Sequence, residues 1–313
     1  MKIIDLHCDT IAKLLESQKQ SRLRSNLYSV DIEKLKKGES LAQFFALFVD
    51  QKQVSNPFLY VKEMIDLFYQ ELEENKVEIA LAKNLDDLLK NQEEKKLSAF
   101  LTIEEGGALQ GKIENLHYFY QLGVRLITLT WNYPNELGYP NDGYQYQNFG
   151  LTEFGMECVR EMNKIGMIVD VSHLSDQGFY DVSQIAQKPF VASHSNSRSL
   201  WENSRNLTDQ MIKVIAKSGG VIGLNFAAHF LGENEVAQID DMLKHLKHIY
   251  HIGGIDVLAI GSDFDGISTE VEISNFGGMQ FLINAMEQNG FTEAEIEKIA
   301  YKNVMRVLKE CIV

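Results

Sequence analysis

Three cysteines in 313 residues, Cys8, Cys158 and Cys311, lie far apart with no CxxC spacing. So sparse and odd a set does not build a disulfide framework, and the thiols are expected to be reduced, as in a cytoplasmic protein. Proline is scarcer than average, with four residues, and offers little to mark a domain boundary. No repeat or low-complexity stretch suggests a second unit, so residues 1–313 are expected to form one domain. No apolar run approaches the roughly 18 residues needed to span a bilayer. The opening MKIIDLHCDT leaves no room for the apolar core of a signal peptide. Basic residues are outnumbered 30 to 44, giving a net charge of -14. That balance repels phosphate backbones and anionic headgroups, so nucleic acid and membrane surface are poor partners.

What is present is an ordinary globular composition, 45% hydrophobic and 24% charged, arranged in a strand and helix rhythm. Eight short apolar runs recur at barrel-like intervals: KIIDLHCD from Lys2, AQFFALFV from Ala42, SAFLTIEE from Ser98, RLITLTWN from Arg125, MIVDVSH from Met167, FVASHS from Phe190, GVIGLNF from Gly220 and VLAIGSDF from Val257. Runs so continuously apolar suit strands buried on both faces of a parallel sheet. Helical patterns separate them, including one from Pro57 whose stripe, Leu59, Val61, Met64, Ile65 and Leu67, is expected to face the core. The fold class expected is α/β, a single (β/α)8 TIM-like barrel of parallel strands with its site at the C-terminal mouth. Asn132 to Gly150 reads as one long loop after the fourth strand, positioned to cover a substrate there. From Thr292 a capping box with Glu295 announces a closing helix.

Metal-ligand side chains accumulate where these strands end. The first ends in His7 and Asp9, which period-2 alternation points to one face while turning Cys8 to the other. The third ends in Glu104 and Glu105, the fifth in His173, the sixth in His194 and the eighth in Asp263 and Asp265. Either HxD or a lone histidine is weak by itself. Their joint appearance at one rim is what a barrel active site requires. Imidazole with carboxylate suits zinc or a similar divalent ion better than calcium, and two ions need a shared carboxylate. Glu105, followed by Gly106 and Gly107 that allow close backbone approach, is a good candidate for the bridge.

Over nearly its whole length the sequence resembles the membrane (renal) dipeptidase family of zinc peptidases, a branch of the metal-dependent hydrolases. The matching pieces are IDLHCDT at Ile4, QFFALF at Gln43, EGGAL at Glu105, YQLGVRLITLTWN at Tyr120, GLTEFGMECVREMNKIGMIVDVSH at Gly150, SHSNSRSL at Ser193, SRNLTD at Ser204 and IGSDFDG at Ile260. The resemblance implies that His7 and Asp9 bind one zinc, that His173 and His194 bind a second, and that Glu105 rather than Glu104 bridges the two. Glu104 then becomes a structural residue at the strand end. By the same carry-over Asp263 handles protons, Arg205 holds the substrate carboxylate, and Asp265 serves structure or supports the site from behind.

The expected reaction is hydrolysis of a dipeptide with a free C-terminal carboxylate by a hydroxide bridging two zinc ions. Asp263 would take the water's proton and pass it to the leaving amine. The chain departs from mammalian relatives, which carry a histidine just after the LTLT run where this chain has Trp131 and Asn132. Trp131 cannot act as an acid; Asn132 can donate a hydrogen bond to substrate. Two rivals stand beside the dipeptidase: a related two-metal amide hydrolase for N-acyl or D-amino acids, and a catalytically silent barrel acting as a binding protein. A homodimer is a candidate assembly. His245, His248 and His251, three apart on one helix, read as solvated or helix-terminal, and His117 and His229 have no partner pattern. Cys8 is expected in the core.

Overall fold

The computed structural model describes residues 1–17 and 20–312. These residues form ten strands: β1 (Ile3–Cys8), β2 (Ser40–Phe48), β3 (Ile79–Leu81), β4 (Leu97–Glu104), β5 (Val124–Thr128), β6 (Ile168–Asp170), β7 (Ile222–Leu224), β8 (Val236–Ala237), β9 (Leu258–Ile260) and β10 (Glu270–Val271). The main sheet is parallel, in the order β6-β5-β4-β2-β1-β9-β7, with β3 attached beside β4. Single parallel bridges, Asp170 to Val191 and Ala192 to Ile222, link β6 to β7 through the Phe190 run. The architecture is mixed α/β, a parallel sheet curled into a TIM-like barrel, and all eight apolar runs of the sequence contribute to the ring. β8 and β10 form a separate two-stranded pair.

Two apolar clusters follow from the period-2 alternation of buried strands. Along β4, Phe100 joins a cluster with Ile4, Phe44, Leu126, Ile168, Val191, Val221 and Ala259, which fills the ring. Its neighbours Ala99, Leu101 and Ile103 belong to the larger cluster beneath the surrounding helices. Val304, Val307 and Leu308 of the helix Asn303–Cys311 pack into the ring cluster from the chain's end. The capping box of Thr292 and Glu295 is present, but the closing helix is not uniform, since a π-turn at Lys298–Lys302 lies between Glu293–Glu297 and Asn303–Cys311.

The helices begin where side-chain caps dictate. Asn56 accepts from the Leu59 N–H with Pro57 following, and Thr152, Ser175 and Thr208 cap three further helices. In the helix Pro57–Glu74 the core face carries Val61, Met64, Ile65, Leu67, Phe68 and Leu72. Leu59, expected in that stripe, is exposed instead, because it lies two residues before Val61 and so about 200° around the helix.

His245 likewise departs from the solvated reading. It lies on the inner face of the helix Ile239–Gly253, where Nδ1 accepts from the Ser197 N–H at 3.0 Å and Nε2 donates to the Leu231 carbonyl at 3.0 Å. Burial lowers its pKa to about 4, so the ring is neutral. His248 instead bonds Asp209 at 2.7 Å, and His251 is exposed. Among the described residues no helix is long and apolar enough to cross a membrane.

Candidate active site

Each sequence-predicted ligand stands where a strand gives way to a loop. His7 is the penultimate residue of β1. Asp9 is the N-cap of the helix Thr10–Glu16, yet its side chain makes no capping bond and turns to the site. His7 Nε2 lies 3.3 Å from Asp9 Oδ2, so the pair does converge, while Cys8 is buried in the outer cluster. His173 and Asp263 have positive φ angles of 66° and 63°, sparsely populated for non-glycine residues and typical of functional loops.

The acidic pair at the end of β4 splits, and Glu104 rather than Glu105 turns to the histidines. Glu104, the last residue of β4, places Oε1 3.0 Å from His173 Nε2 and 3.5 Å from His194 Nε2, and Oε2 3.2 Å from His7 Nε2. Glu105, expected as the bridge, points elsewhere. Its carboxylate accepts from the N–H groups of Gly107 at 2.6 Å and Trp131 at 3.0 Å, and from Asn135 Nδ2. The cause is strand phase: Phe100, Thr102 and Glu104 share the face that looks into the ring, and Glu105, with φ at 101°, begins the turn away. Gly106 and Gly107 therefore serve a 3-10 turn capped by Glu105.

The electrostatics are those of a buried cation site seen through its ligands. Burial opposes ionisation of Glu104, but the charge of His7 and the close approach of the three imidazoles outweigh it and hold the carboxylate well below its usual range. Burial also disfavours charge on His7, yet Glu104 and Asp9 raise its pKa well above the ordinary value. Burial keeps His173 neutral, with its pKa lowered to about 4, and holds that of His194 well below the ordinary value. Asp9 and Asp263 are pushed up by burial to about 7 and about 6.

These donors fit metal ions. His194 Nδ1 faces Ser193 Oγ at 2.8 Å, and His173 Nδ1 faces Asn132 Oδ1 at 3.1 Å. Ser193 Oγ gives its proton to Asp170, and the Asn132 oxygen can only accept, so both Nδ1 atoms donate. The two Nε2 atoms, 3.0 Å apart, then present lone pairs to one another, which a cation would satisfy. Both nitrogens of His7 and Oδ1 of Asp9 are buried without a hydrogen-bond partner among the described residues. Ligand atoms of Glu104, His173 and His194 lie within 4.8 Å of one another, as do those of His7, Asp9 and Glu104. The two groups share Glu104.

Two depressions open beside this cluster. One, of about 270 Å³, is lined by Asp9, Glu104, His173, Asp263, Phe48 and Trp131. The other, of about 320 Å³, shares Asn132, His173 and Phe230 with it and reaches Arg205. Arg205 is 7% exposed, holds Nη2 3.2 Å from the His194 carbonyl, and leaves Nε and Nη1 buried without partners among the described residues. Its guanidinium sits 5.3 Å over the Phe230 ring. Asp142 and Gly143, from the long loop after β5, line this second depression, and the Gly143 N–H bonds Ser204 Oγ at 3.1 Å. His229, which lacked any partner pattern, lines the first depression beside Phe230. Asp265 lies against the helix Thr10–Glu16, accepting from Thr10 Oγ1 at 2.6 Å and the Ser29 N–H at 2.7 Å.

A family model for the membrane dipeptidases, peptidase family M19, matches residues 1–312. The chain belongs to that family. It is a dipeptidase of the M19 metallopeptidases, a hydrolase whose class implies metal dependence. Among curated relatives, an uncharacterized protein encoded in the pqqA 5′ region of Klebsiella pneumoniae is 35% identical over 262 residues, 78% of this chain and 96% of that one. Among solved structures, a family M19 dipeptidase superposes with a TM-score of 0.92 at 26% identity, covering 99% of this chain and 98% of its own. A Rhodobacter sphaeroides metallopeptidase, solved with a phosphinate mimic of the dipeptide L-Ala-D-Ala, also gives 0.92, at 25% identity and 99% coverage of both chains.

Proposed function

We propose that this M19 dipeptidase uses two zinc ions, one at His7 and Asp9 and one at His173 and His194, with Glu104 shared between them. The single observation that carries this reading is the carboxylate of Glu104, which turns one oxygen to His7 and the other to His173 and His194. Mixed imidazole and carboxylate donors favour zinc over calcium or magnesium. When bound, such a pair of ions supplies Lewis acidity at the peptide carbonyl and makes a shared water acidic enough to lose a proton near neutral pH.

The chain's own groups then have distinct tasks. Asp263 receives the water's proton and returns it to the departing amine; Asn225 Nδ2 holds its Oδ2 at 2.9 Å, and its Oδ1 lies 3.8 Å from His7 Nε2. Arg205 binds the substrate's C-terminal carboxylate through the two N–H groups that lack partners, which favours short peptides with a free end. Asn132, whose Oδ1 faces His173, keeps its amide nitrogen for the substrate carbonyl. Phe48, Trp131 and Phe230 supply apolar walls.

The mimic bound by the Rhodobacter sphaeroides relative makes a small L,D dipeptide a sound first substrate for this chain. The three cysteines are free and buried, in keeping with a cytoplasmic enzyme. Turnover of an L,L and L,D dipeptide panel by the zinc-loaded protein, beside N-acyl amino acids, tests the reading. Hydrolysis confined to the acyl compounds would transfer the assignment to the related amide hydrolases.

A further inference from the structure

Two aspartates that line neither depression repeat one arrangement on two strands of the ring. Asp5, in β1, accepts the Ser262 N–H at 2.8 Å and the His7 N–H at 3.4 Å on Oδ1, with Ser262 Oγ at 2.6 Å and Gln43 Nε2 at 3.1 Å on Oδ2. Asp170, in β6, accepts the Ser193 N–H at 2.9 Å and the Ser172 N–H at 3.0 Å on Oδ1, with Ser193 Oγ and Thr128 Oγ1, the latter at 2.7 Å, on Oδ2. Both are fully buried. In each case four donors surround one carboxylate. Two come from a serine on the next member of the ring, through its N–H and its hydroxyl, and one is the N–H of the residue two places after the aspartate.

The repetition is aimed at the residues of the site. Ser262 immediately precedes Asp263, and Ser193 immediately precedes His194; Asp5 lies two residues before His7, and Asp170 three before His173. We infer that Asp5 and Asp170 are paired positioning residues, one for each half of the site, Asp5 fixing His7 and Asp263 and Asp170 fixing His173 and His194. This rests on the two-ion reading above.

The Asp170 half also fixes a proton. Ser193 Oγ donates to the carboxylate, and so offers only a lone pair to His194 Nδ1 at 2.8 Å, which forces the proton onto Nδ1 and frees Nε2 to ligate. An asparagine at 170 that turned its amide nitrogen to Ser193 would make that hydroxyl an acceptor from the amide and a donor to His194. The imidazole would then carry its proton on Nε2, where the ion should sit.

The test is a zinc titration of the full chain against a chromophoric chelator, with cobalt(II) absorption spectra in parallel. Wild type should take two ions. Asp170→Asn should weaken one step by roughly 10- to 100-fold, the same step that His173→Ala abolishes, and leave the other within a few-fold. Asp5→Asn should weaken the opposite step. Ser193→Ala removes the hydroxyl while Asp170 keeps its backbone donors, so it decides the case if the aspartate variants fail to fold; it should weaken the His173 step, and Ser193→Thr should restore it. Two ions in wild type with both steps unchanged in the folded variants, or the same step lost in both aspartate variants, overturns the assignment alone. Fewer than two ions in wild type overturns the two-ion reading and this inference with it.

Discussion

Glu104 and Glu105 are consecutive, yet their carboxylates belong to different structures. Oε1 of Glu104 is 3.0 Å from His173 Nε2, whereas Oε2 of Glu105 accepts the Trp131 N–H at 3.0 Å and its Oε1 the Gly107 N–H. Glu104 faces the histidines of the proposed metal site, and Glu105 pegs the loop that carries Trp131 and Asn132. Burial pushes the Glu105 carboxyl up to about 7.

That division predicts unequal mutants. Glu104→Gln should lose one or both metal ions and more than roughly 100-fold in kcat/KM, since a neutral amide is a poor bridge. Glu105→Gln should retain both ions, with a loss of about 10-fold or less as the Trp131 loop loosens. Metal content and steady-state kinetics decide; equal metal loss in both would restore Glu105 to the bridge.

Asp263→Asn should keep both ions and most substrate affinity while losing roughly 10²- to 10⁴-fold in kcat. Near-normal turnover would remove Asp263 from proton transfer. A pH profile gives a finer test. Burial raises the Asp263 pKa to about 6, and the hydrogen bond from Asn225 is one of the interactions that hold it down. A base works only when ionised, so activity falls as pH drops through its pKa. Asn225→Ala removes a donor that favours the ionised form, and the acid limb of kcat/KM should move to higher pH. A limb that stays in place would assign it to another group.

Much of this was legible in the residues because barrel strands report their own phase. His7, Asp9, His173 and His194 fall at strand ends as the apolar runs suggest, and the fold class follows from the same runs. Gly106 and Gly107 single out Glu105 in the sequence, whereas the phase set by Phe100 and Thr102 puts Glu104 on the inward face beside the histidines. Leu59 and His245 were misplaced for a related reason: counting residues along a helix does not say which face meets the barrel. Asp5 and Asp170 carried no spacing signal, since their role depends on serines more than 20 residues away that only the closed ring brings near.

Arg205→Ala should raise KM for free dipeptides, with kcat much less affected. A buried, charge-assisted hydrogen-bonding partner contributes roughly 1.5 to 3 kcal/mol, or about 10- to 150-fold. C-terminally amidated dipeptides lack the carboxylate, so the substitution should change their kinetics little. Equal losses on both substrates would show that Arg205 shapes the Phe230 wall rather than binding the carboxylate.

Metal removal should cost stability as well as activity. Asp9, Glu104 and Asp263 crowd together beside His7, and His173 and His194 face one another through unprotonated nitrogens. Without cations the carboxylates repel and the imidazole lone pairs go unsatisfied, so ions that bind only the folded chain must stabilise it by mass action. At free zinc about 1,000-fold above Kd, one site contributes about 4 kcal/mol. For a chain of this size that is roughly 5 to 10 °C in Tm. Chelated protein should therefore melt several degrees lower and be inactive, and zinc should restore both properties together. Chelated protein that is demonstrably metal-free yet keeps its Tm would mean that the buried cluster is held by its hydrogen bonds alone.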